Sequence, residues 1–355
     1  MGQRQHQQWQ ADRSCTNIPN GSPRGGRPIS KETTDKADLL NEVSRLRLEV
    51  EDAKSPFYHF NSSFDAHSVM HKYWDKNATA SNTHLTNFLG VKIAPHFLPA
   101  ILCGREGAVE TIPIPANWHA DIAEWAAALR SVELSKDRFR IIELGCGWGC
   151  WLLNTGCAAR AVGKSVELIG VEGDLDHLNF ALTAMEDNGF SDTQYKIIHG
   201  IAAANKGKAL FPIVENAGDL WSSSPIFDAS AEQVNEAINR KSHHILDTYS
   251  ISEIAENKPV DLLHIDIQGG EADFINGCLK DINSLVRYMV IGTHSRQIEG
   301  RIMHTLLENG WHLEIERPAI FSIVNGSPRI QVDGVQGWHN PESLFQKGLS
   351  DFSRL

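Results

Sequence analysis

Two glycine-rich segments, each next to an acidic residue, are the parts of this chain that could do chemistry on a bound ligand. The first, residues 143–149, reads E-L-G-C-G-W-G and begins in the last two residues of a short apolar strand over 140–144. Glycines there let the backbone approach a ligand closely at the amino terminus of the following helix. The dinucleotide fingerprint G-x-G-x-x-G would place its third glycine at position 150, which is Cys150 here. The segment therefore predicts a ligand-binding loop that does not cradle a pyrophosphate.

A carboxylate at the end of the next predicted strand extends this site. The strand covers 165–171 and is followed by Glu172 and Gly173. Because a carboxylate can accept two hydrogen bonds at once, it suits the cis-diol of an adenosine ribose. We predict that Glu172 and Gly173 lie against such a ribose. The alternatives are that Glu172 is only a neighbour of a helix N-cap and that Glu143 is a solvated strand end.

The glycine loop is similar to motif I of the class I S-adenosylmethionine-dependent methyltransferases. The shared pattern is G-x-G-x-G with an acid two residues before it. In those enzymes the loop wraps the methionine part of the cofactor, so the resemblance implies S-adenosyl-L-methionine as cofactor and S-adenosyl-L-homocysteine as product. The residues that it places against the cofactor are Glu143, Gly145, Cys146, Gly147, Trp148 and Gly149.

The second glycine-rich segment resembles that of one particular family within this class. Residues 262–271 read L-L-H-I-D-I-Q-G-G-E, which resembles the FkbM-type methyltransferase signature L-K-I-D-x-E-G-A-E. Residues 246–254 also look like that family's lead-in to this strand. Residues 200–203 are similar to the segment that contacts the adenine, which implies cofactor contacts from Ile201 and Ala202. The resemblance covers about residues 141–315, roughly half of the chain.

Three positions depart from the family pattern. His264 replaces Lys, Gln268 replaces the first Glu, and Gly270 replaces Ala. A divalent cation at Asp266, Glu271 and His294 is conceivable from the residue types. The carboxylate that is missing at position 268 weakens that hypothesis, so we predict no metal.

What the resemblance implies is transfer of a methyl group, most often to a hydroxyl of a sugar, a glycan or a natural product. An alcohol is a poor nucleophile, so a base should take its proton as the new bond forms. Asp266 is the first candidate because the carboxyl end of strand four faces the methyl donor in this fold, and it also counts as a cofactor contact. His294, after strand five, is the second candidate. Glu271 and His294 are further candidates for substrate contact, although Glu271 could simply stabilise the start of its helix.

Alternating strands and helices from residue 136 onwards predict an α/β fold. We expect a Rossmann-like, doubly wound and mostly parallel seven-stranded sheet with helices on both faces, plus an N-terminal helical extension. About 60 residues separate strands three and four, and Trp221 in this insertion is a candidate substrate contact. The predicted segments are a disordered tail (1–36), a short amphipathic or coiled-coil helix (37–54), a helical and loop extension that could form a lid (55–135), the methyltransferase domain (136–330) and a C-terminal tail (331–355).

Composition limits the partners of this 355-residue chain. It has 33 Lys and Arg against 44 Asp and Glu, a net charge of −11, which disfavours general nucleic-acid binding. No apolar run is long enough to span a membrane, no signal peptide is visible, and the six cysteines form no framework, so we predict reduced thiols and a cytoplasmic location. Apolar residues at 39, 43, 46 and 50 could form a homodimer seam, or one face of a single helix.

Two other classes of function remain as alternatives to a methyltransferase. A nicotinamide-dependent oxidoreductase is disfavoured by the missing third glycine and by the lack of an obvious Tyr-x-x-x-Lys pair. A non-catalytic module that keeps the cofactor fold is disfavoured only weakly, because intact site residues do not prove turnover. The acceptor itself is a small molecule or glycan in the methyltransferase hypothesis.

Overall fold

The computed structural model describes residues 55–341 together with position 43. Three segments therefore lie outside the described residues, apart from position 43. They are the predicted tail at 1–36, the predicted helix at 37–54 with its dimer seam at 39–50, and residues 342–355. The nine α-helices of the described part are α1 (Ala66–Tyr73), α2 (Pro99–Leu102), α3 (Ile122–Leu134), α4 (Cys150–Ala161), α5 (Leu175–Asp187), α6 (Ala231–Arg240), α7 (Ile251–Ala255), α8 (Glu271–Leu285) and α9 (Arg296–Glu308).

The strands form one large sheet and three smaller ones. In chain order they are β1 (Asn61–Ser62), β2 (Leu85–Thr86), β3 (Lys92–Ile93), β4 (Arg138–Leu144), β5 (Ser165–Glu172), β6 (Tyr195–His199), β7 (Ile201–Ala202), β8 (Gly207–Pro212), β9 (Ile226–Phe227), β10 (His243–Tyr249), β11 (Leu262–Ile265), β12 (Tyr288–Thr293), β13 (His312–Arg317), β14 (Ile320–Val324), β15 (Ser327–Val332) and β16 (Gly334–His339). The large sheet has the order β1-β13-β16-β12-β11-β4-β5-β6 within the described residues.

The large sheet is mixed: four of its seven pairs of neighbouring strands are parallel and three are antiparallel, and it has eight strands among the described residues where seven were predicted. Strands β12, β11, β4, β5 and β6 run parallel, and β16 inserts antiparallel to both β12 and β13. The short β1 adds the eighth strand at the β13 edge. Parallel strands bring their carboxyl ends to one edge, which is where a doubly wound sheet binds its ligand.

The predicted C-terminal tail at 331–355 is wrong for its described part, because residues 334–339 form β16 inside the sheet. This strand hydrogen bonds to a neighbour on each side, and Trp338 is fully buried with its indole N–H donating to Gln336 Oε1 at 3.0 Å. Gly337 is required there, since a Cβ would lie 2.6 Å from Ile315 and 3.1 Å from Ala127 of α3. A strand with two glycines lacks the apolar alternation that predicts a buried strand.

Helices cover both faces of the sheet, as predicted. Alternate residues of β4 enter two separate hydrophobic clusters, Ile141 on one face and Ile142 on the other. The first cluster includes residues of α1, α3, α4 and α5, and the second includes residues of α7, α8 and α9. The predicted N-terminal extension at 55–135 is part of the first cluster rather than a layer of its own, because Met70 and Trp125 are buried there with the strands.

The insertion between β6 and β11 folds into a sheet of its own. Its strands have the order β7-β10-β8-β9, and α6 follows β9. It begins at Ile201, directly after β6, so it stands at the ligand-binding edge of the large sheet. Within the described residues, no helix is both long and apolar enough to cross a bilayer.

Candidate functional site

The glycine loop joins β4 to α4 in a backbone shape that only glycine adopts easily. Gly145, Gly147 and Gly149 have φ values of +70°, +53° and +79°. A Cβ on Gly145 would collide with the carbonyl oxygen of Asp266, and one on Gly147 would lie 2.9 Å from the ring of Trp221. The loop therefore packs tightly against the ends of other segments, and Gly149 serves as the N-cap residue of α4.

Glu143 is buried and holds the start of α4. Its Oε1 accepts a hydrogen bond from the backbone N–H of Trp151 at 3.3 Å, and its Oε2 accepts one from Leu152 at 3.0 Å. The side chain is 3 % exposed, which excludes the solvated strand end considered as an alternative. Burial raises the pKa of Glu143 well above its usual value, although the two N–H groups oppose this.

Glu172 connects the end of β5 to the glycine loop. Its Oε2 accepts a hydrogen bond from the N–H of Gly147 at 2.7 Å, and its Oε1 accepts one from the N–H of Asp174 at 2.8 Å. Burial raises the pKa of Glu172, while His177, with Nδ1 4.0 Å from Oε1, works in the opposite direction. Each carboxylate oxygen has a second lone pair, so the group can still accept from a ligand hydroxyl.

A cavity of about 620 Å³ opens where these segments meet. Apart from Gly149, each residue predicted to contact the cofactor lines it, and Trp221 lines it as well. Trp221 stacks on His177 with ring centroids 3.9 Å apart. Those predicted lining residues are Glu143, Gly145, Cys146, Gly147, Trp148, Glu172, Gly173, Ile201, Ala202 and Asp266. The structure therefore brings together segments that are more than 120 residues apart in the chain.

Asp266 follows β11 and faces this cavity, whereas His294 and Glu271 lie behind it. Nε2 of His294 is 3.4 Å from Oδ1 of Asp266, and Nδ1 of His294 is 2.9 Å from Oε1 of Glu271. Gln268 also donates to Oδ1 of Asp266, at 3.2 Å. Asp266 lines the large cavity and a smaller one beside it, and neither Glu271 nor His294 lines either cavity.

The charges of these three groups are coupled. Burial alone would lower the pKa of His294, but the two carboxylates outweigh burial and raise it to about 9. Burial raises the pKa of Asp266, and the His294 imidazolium opposes this rise. For Glu271, burial is outweighed by His294 and by the backbone N–H of Gly269, so its pKa is lowered. At neutral pH His294 therefore carries a proton between two carboxylates.

These three side chains are also a possible metal cluster. One ligand atom from each of Asp266, Glu271 and His294 falls within 4.8 Å of the others. The His294 imidazolium already compensates the two carboxylates, so a divalent cation would have to displace its proton. The positive charge of His294 between two negative charges thus explains why the three side chains can lie close together without a metal ion. That the protein needs no metal stays a prediction.

The smaller cavity, of about 90 Å³, contains residues that the sequence did not indicate. Leu98, His119 and Asp266 line both cavities, and Glu124 of α3 lines the smaller one. Nε2 of His119 is 2.6 Å from the thiol of Cys150. Glu124 lies next to Trp125 in α3, and nothing in its position in the sequence distinguishes it from a solvated acid.

Comparison with known proteins identifies the family to which this chain belongs. A family model described as the methyltransferase FkbM domain matches residues 131–310. A protein of Jannaschia sp. (strain CCS1) named "Putative methyltransferase" is 47 % identical over 272 residues, which is 77 % of this chain and 98 % of that protein. The chain belongs to the FkbM methyltransferase family.

Solved structures of methyltransferases are similar to the chain at low sequence identity. The methyltransferase FkbM of Methylobacillus flagellatus KT is 12 % identical with a TM-score of 0.39, over 61 % of this chain and 54 % of that one. A human methyltransferase 10 domain containing protein is also 12 % identical, with a TM-score of 0.32 over 62 % of this chain and 83 % of that one.

Proposed function

We propose that this chain transfers the methyl group of S-adenosyl-L-methionine to a hydroxyl of a sugar, a glycan or a natural product, with Asp266 as general base. The observation that carries the proposal is the position of Asp266, which lines both cavities. A donor in the larger cavity and an acceptor entering from the smaller one would meet at this residue.

The residues that line the larger cavity suit S-adenosyl-L-methionine. Gly145 and Gly147 line it and have the positive φ values of a tight loop, and Glu172 offers acceptor oxygens for two ribose hydroxyls. Ile201 and Ala202 of β7 supply an apolar wall, 7 % exposed each, for an adenine ring. When bound, the cofactor supplies an electrophilic methyl group on a sulfonium.

The chain's own contribution is to position the acceptor and to accept its proton. Holding two reacting groups in line removes a large entropic cost from a displacement reaction. Because burial raises the pKa of Asp266, its carboxylate is a better proton acceptor than an ordinary aspartate. His294 carries its own proton at neutral pH, so its role in this proposal is to orient Asp266 and to keep it ionised, rather than to act as the base.

Replacing Asp266 with Asn tests the proposal. Wild type and the Asp266→Asn variant would be incubated with S-adenosylmethionine carrying a labelled methyl group and with a panel of saccharide and polyketide acceptors. We expect the variant to transfer methyl groups at least about tenfold more slowly, since a positioned base contributes that much or more. Its affinity for S-adenosylhomocysteine should stay within a few-fold.

The exposed Asp192 provides a matched control, because Asp192→Asn makes the same chemical change far from both cavities. This control should transfer methyl groups at the wild-type rate. Normal turnover by the Asp266→Asn variant would remove Asp266 from the mechanism.

A further inference from the structure

The smaller cavity lies next to Asp266, beside the larger one. It is bounded by the start of α3, by the end of β12 at Gly292, and by the turn from β15 to β16 at Asp333 and Gly334. Asp266 and His119 belong to its walls and also to those of the larger cavity. In the proposed reaction, the attacking group of the acceptor would approach the methyl group through this space.

The walls of the smaller cavity carry more negative than positive charge. Four acidic side chains and one arginine line it. Arg317 is already engaged, because its Nε donates to the carboxylate of Asp121 and its Nη2 donates to the main-chain oxygen of Asp333. Arg317 thus forms its ion pair with Asp121, and its charge lowers the pKa of Glu124 and Asp333 only from a distance. Asp266 has His294 as its own cationic partner.

Glu124 has a neutral partner rather than a cation. Its Oε1 lies 3.2 Å from Nε2 of His264, a side chain that is 2 % exposed. Burial lowers the pKa of His264 to about 4, so the imidazole is uncharged at neutral pH. Nδ1 of His264 is buried and has no hydrogen-bond partner among the described residues, and His264 lines the larger cavity. The Glu124–His264 pair therefore spans the wall between the two cavities and leaves a polar atom unsatisfied.

Burying these carboxyl groups together is costly. Burial, and then the neighbouring Asp121 and Asp266, raise the pKa of Glu124 well above its usual value. Burial raises the pKa of Asp333 as well, against the opposing charges of His294 and Arg317. A positively charged ligand group between these carboxylates would recover part of that cost.

We propose that the smaller cavity binds a protonated amino group of the acceptor, held between Glu124 and Asp333, beside the hydroxyl from which Asp266 takes the proton. This inference rests on the proposed function and specifies its substrate class as an amine-bearing acceptor, such as an amino sugar. Trp118, 8 % exposed, adds an aromatic wall of the kind that binds ammonium groups. The volume of about 90 Å³ suits an amino group and its neighbouring carbons rather than a whole ring.

Three probes of similar size test this charge preference. Glucosamine, N-acetylglucosamine and glucose would be titrated separately onto the full chain saturated with S-adenosylhomocysteine, near neutral pH, with binding followed by saturation-transfer NMR. We expect glucosamine to bind about tenfold more tightly than the other two, the difference that one charge-assisted hydrogen bond makes. Equal binding of glucosamine and glucose, or no binding of any probe, would overturn the inference.

Two variants test whether the preference for glucosamine comes from the smaller cavity. Asp333→Asn and Glu124→Gln keep the side-chain shapes and should each remove most of the preference for glucosamine, while Asp192→Asn keeps it. A preference that survives both substitutions would contradict the assignment. Affinity for S-adenosylhomocysteine, measured on the same samples, shows that each variant is folded.

The same samples separate this inference from the proposed function. If S-adenosylhomocysteine does not bind, the cofactor assignment fails. The three probes titrated without it then still decide whether the cavity selects an amine.

Discussion

The proton that His294 shares with two carboxylates gives a prediction whose size follows from the structure. In Glu271→Gln the amide oxygen can still accept from the backbone N–H groups of Ile267 and Gly269, which lie 3.2 Å and 2.9 Å from Oε1 of Glu271. The substitution removes the negative charge 2.9 Å from Nδ1 of His294. We therefore expect the pKa of His294 to fall from about 9 toward its ordinary value of 6.5.

This difference can be expressed as a free energy. A rise from 6.5 to about 9 corresponds to about 3 kcal/mol in favour of the protonated imidazole of His294, at about 1.4 kcal/mol per pKa unit. Glu271 is the nearer of the two carboxylates and should supply the larger share. Since the folded pKa is raised, this stabilisation is complete below pH 6.5 and is lost as the pH rises through about 9. The deficit of the variant in unfolding free energy should therefore be largest between pH 4.5 and 6.5, where Glu271 is ionised and His294 is protonated, and should shrink as the pH rises through about 9. It should also shrink in stronger acid, as Glu271 takes up a proton.

Histidine NMR measures the predicted shift directly. The imidazole signals of His294 would be followed against pH in wild type and in Glu271→Gln, with His294→Gln used to assign them. Urea unfolding at several pH values gives the matching free energies, and Glu308→Gln, on the exposed surface, serves as a control. A wild-type His294 that titrates near 6.5, or a pKa that the substitution leaves unchanged, would refute the ion-pair account.

Three further predictions concern the cofactor loop and the N-terminal segment. Glu172→Ala should weaken the binding of S-adenosylhomocysteine by about tenfold or more, as calorimetry would report, because a buried charged acceptor is lost; unchanged affinity would displace Glu172 from the ribose. Gly147→Ala should also weaken binding, since it strains a residue at φ +53° and sets a Cβ 2.9 Å from Trp221. Gly300→Ala, where nothing lies within 4 Å, should leave affinity unchanged, and equal effects of the two alanines would refute the packing argument. Deleting residues 1–54 should convert a dimer into a monomer in light scattering if they form the predicted dimer seam, and an unchanged number of chains per particle excludes that seam.

The parts of the fold that could be predicted from sequence are those with local signals. Strands β4, β5 and β6 contain apolar runs, and the acids Glu143 and Glu172 lie at or next to the carboxyl ends of β4 and β5. Their parallel arrangement follows from alternation with helices, and it brings the carboxyl ends of the strands to one edge. Glycines in the loop after β4 then indicated where a ligand approaches the backbone, and the larger cavity lies there.

Other parts of the fold could not be predicted because they depend on contacts between residues that are far apart in the chain. Strand β16 carries two glycines, and its place in the sheet depends on hydrogen bonds to β12 and β13 and on close contact with α3. The smaller cavity depends on Glu124 meeting His264, 140 residues later. The position of His294 behind Asp266 likewise depends on packing. The sequence offered both residues as the base, whereas the structure places only Asp266 in the walls of the two cavities.

Calorimetric titration tests the central claim, the use of S-adenosylmethionine, most directly. Purified protein would be titrated with S-adenosylmethionine, S-adenosylhomocysteine and NADH, each with and without EDTA. The account predicts saturable binding of the first two, no binding of NADH, and no effect of EDTA on any titration. Binding of NADH without binding of the two sulfur compounds would contradict it.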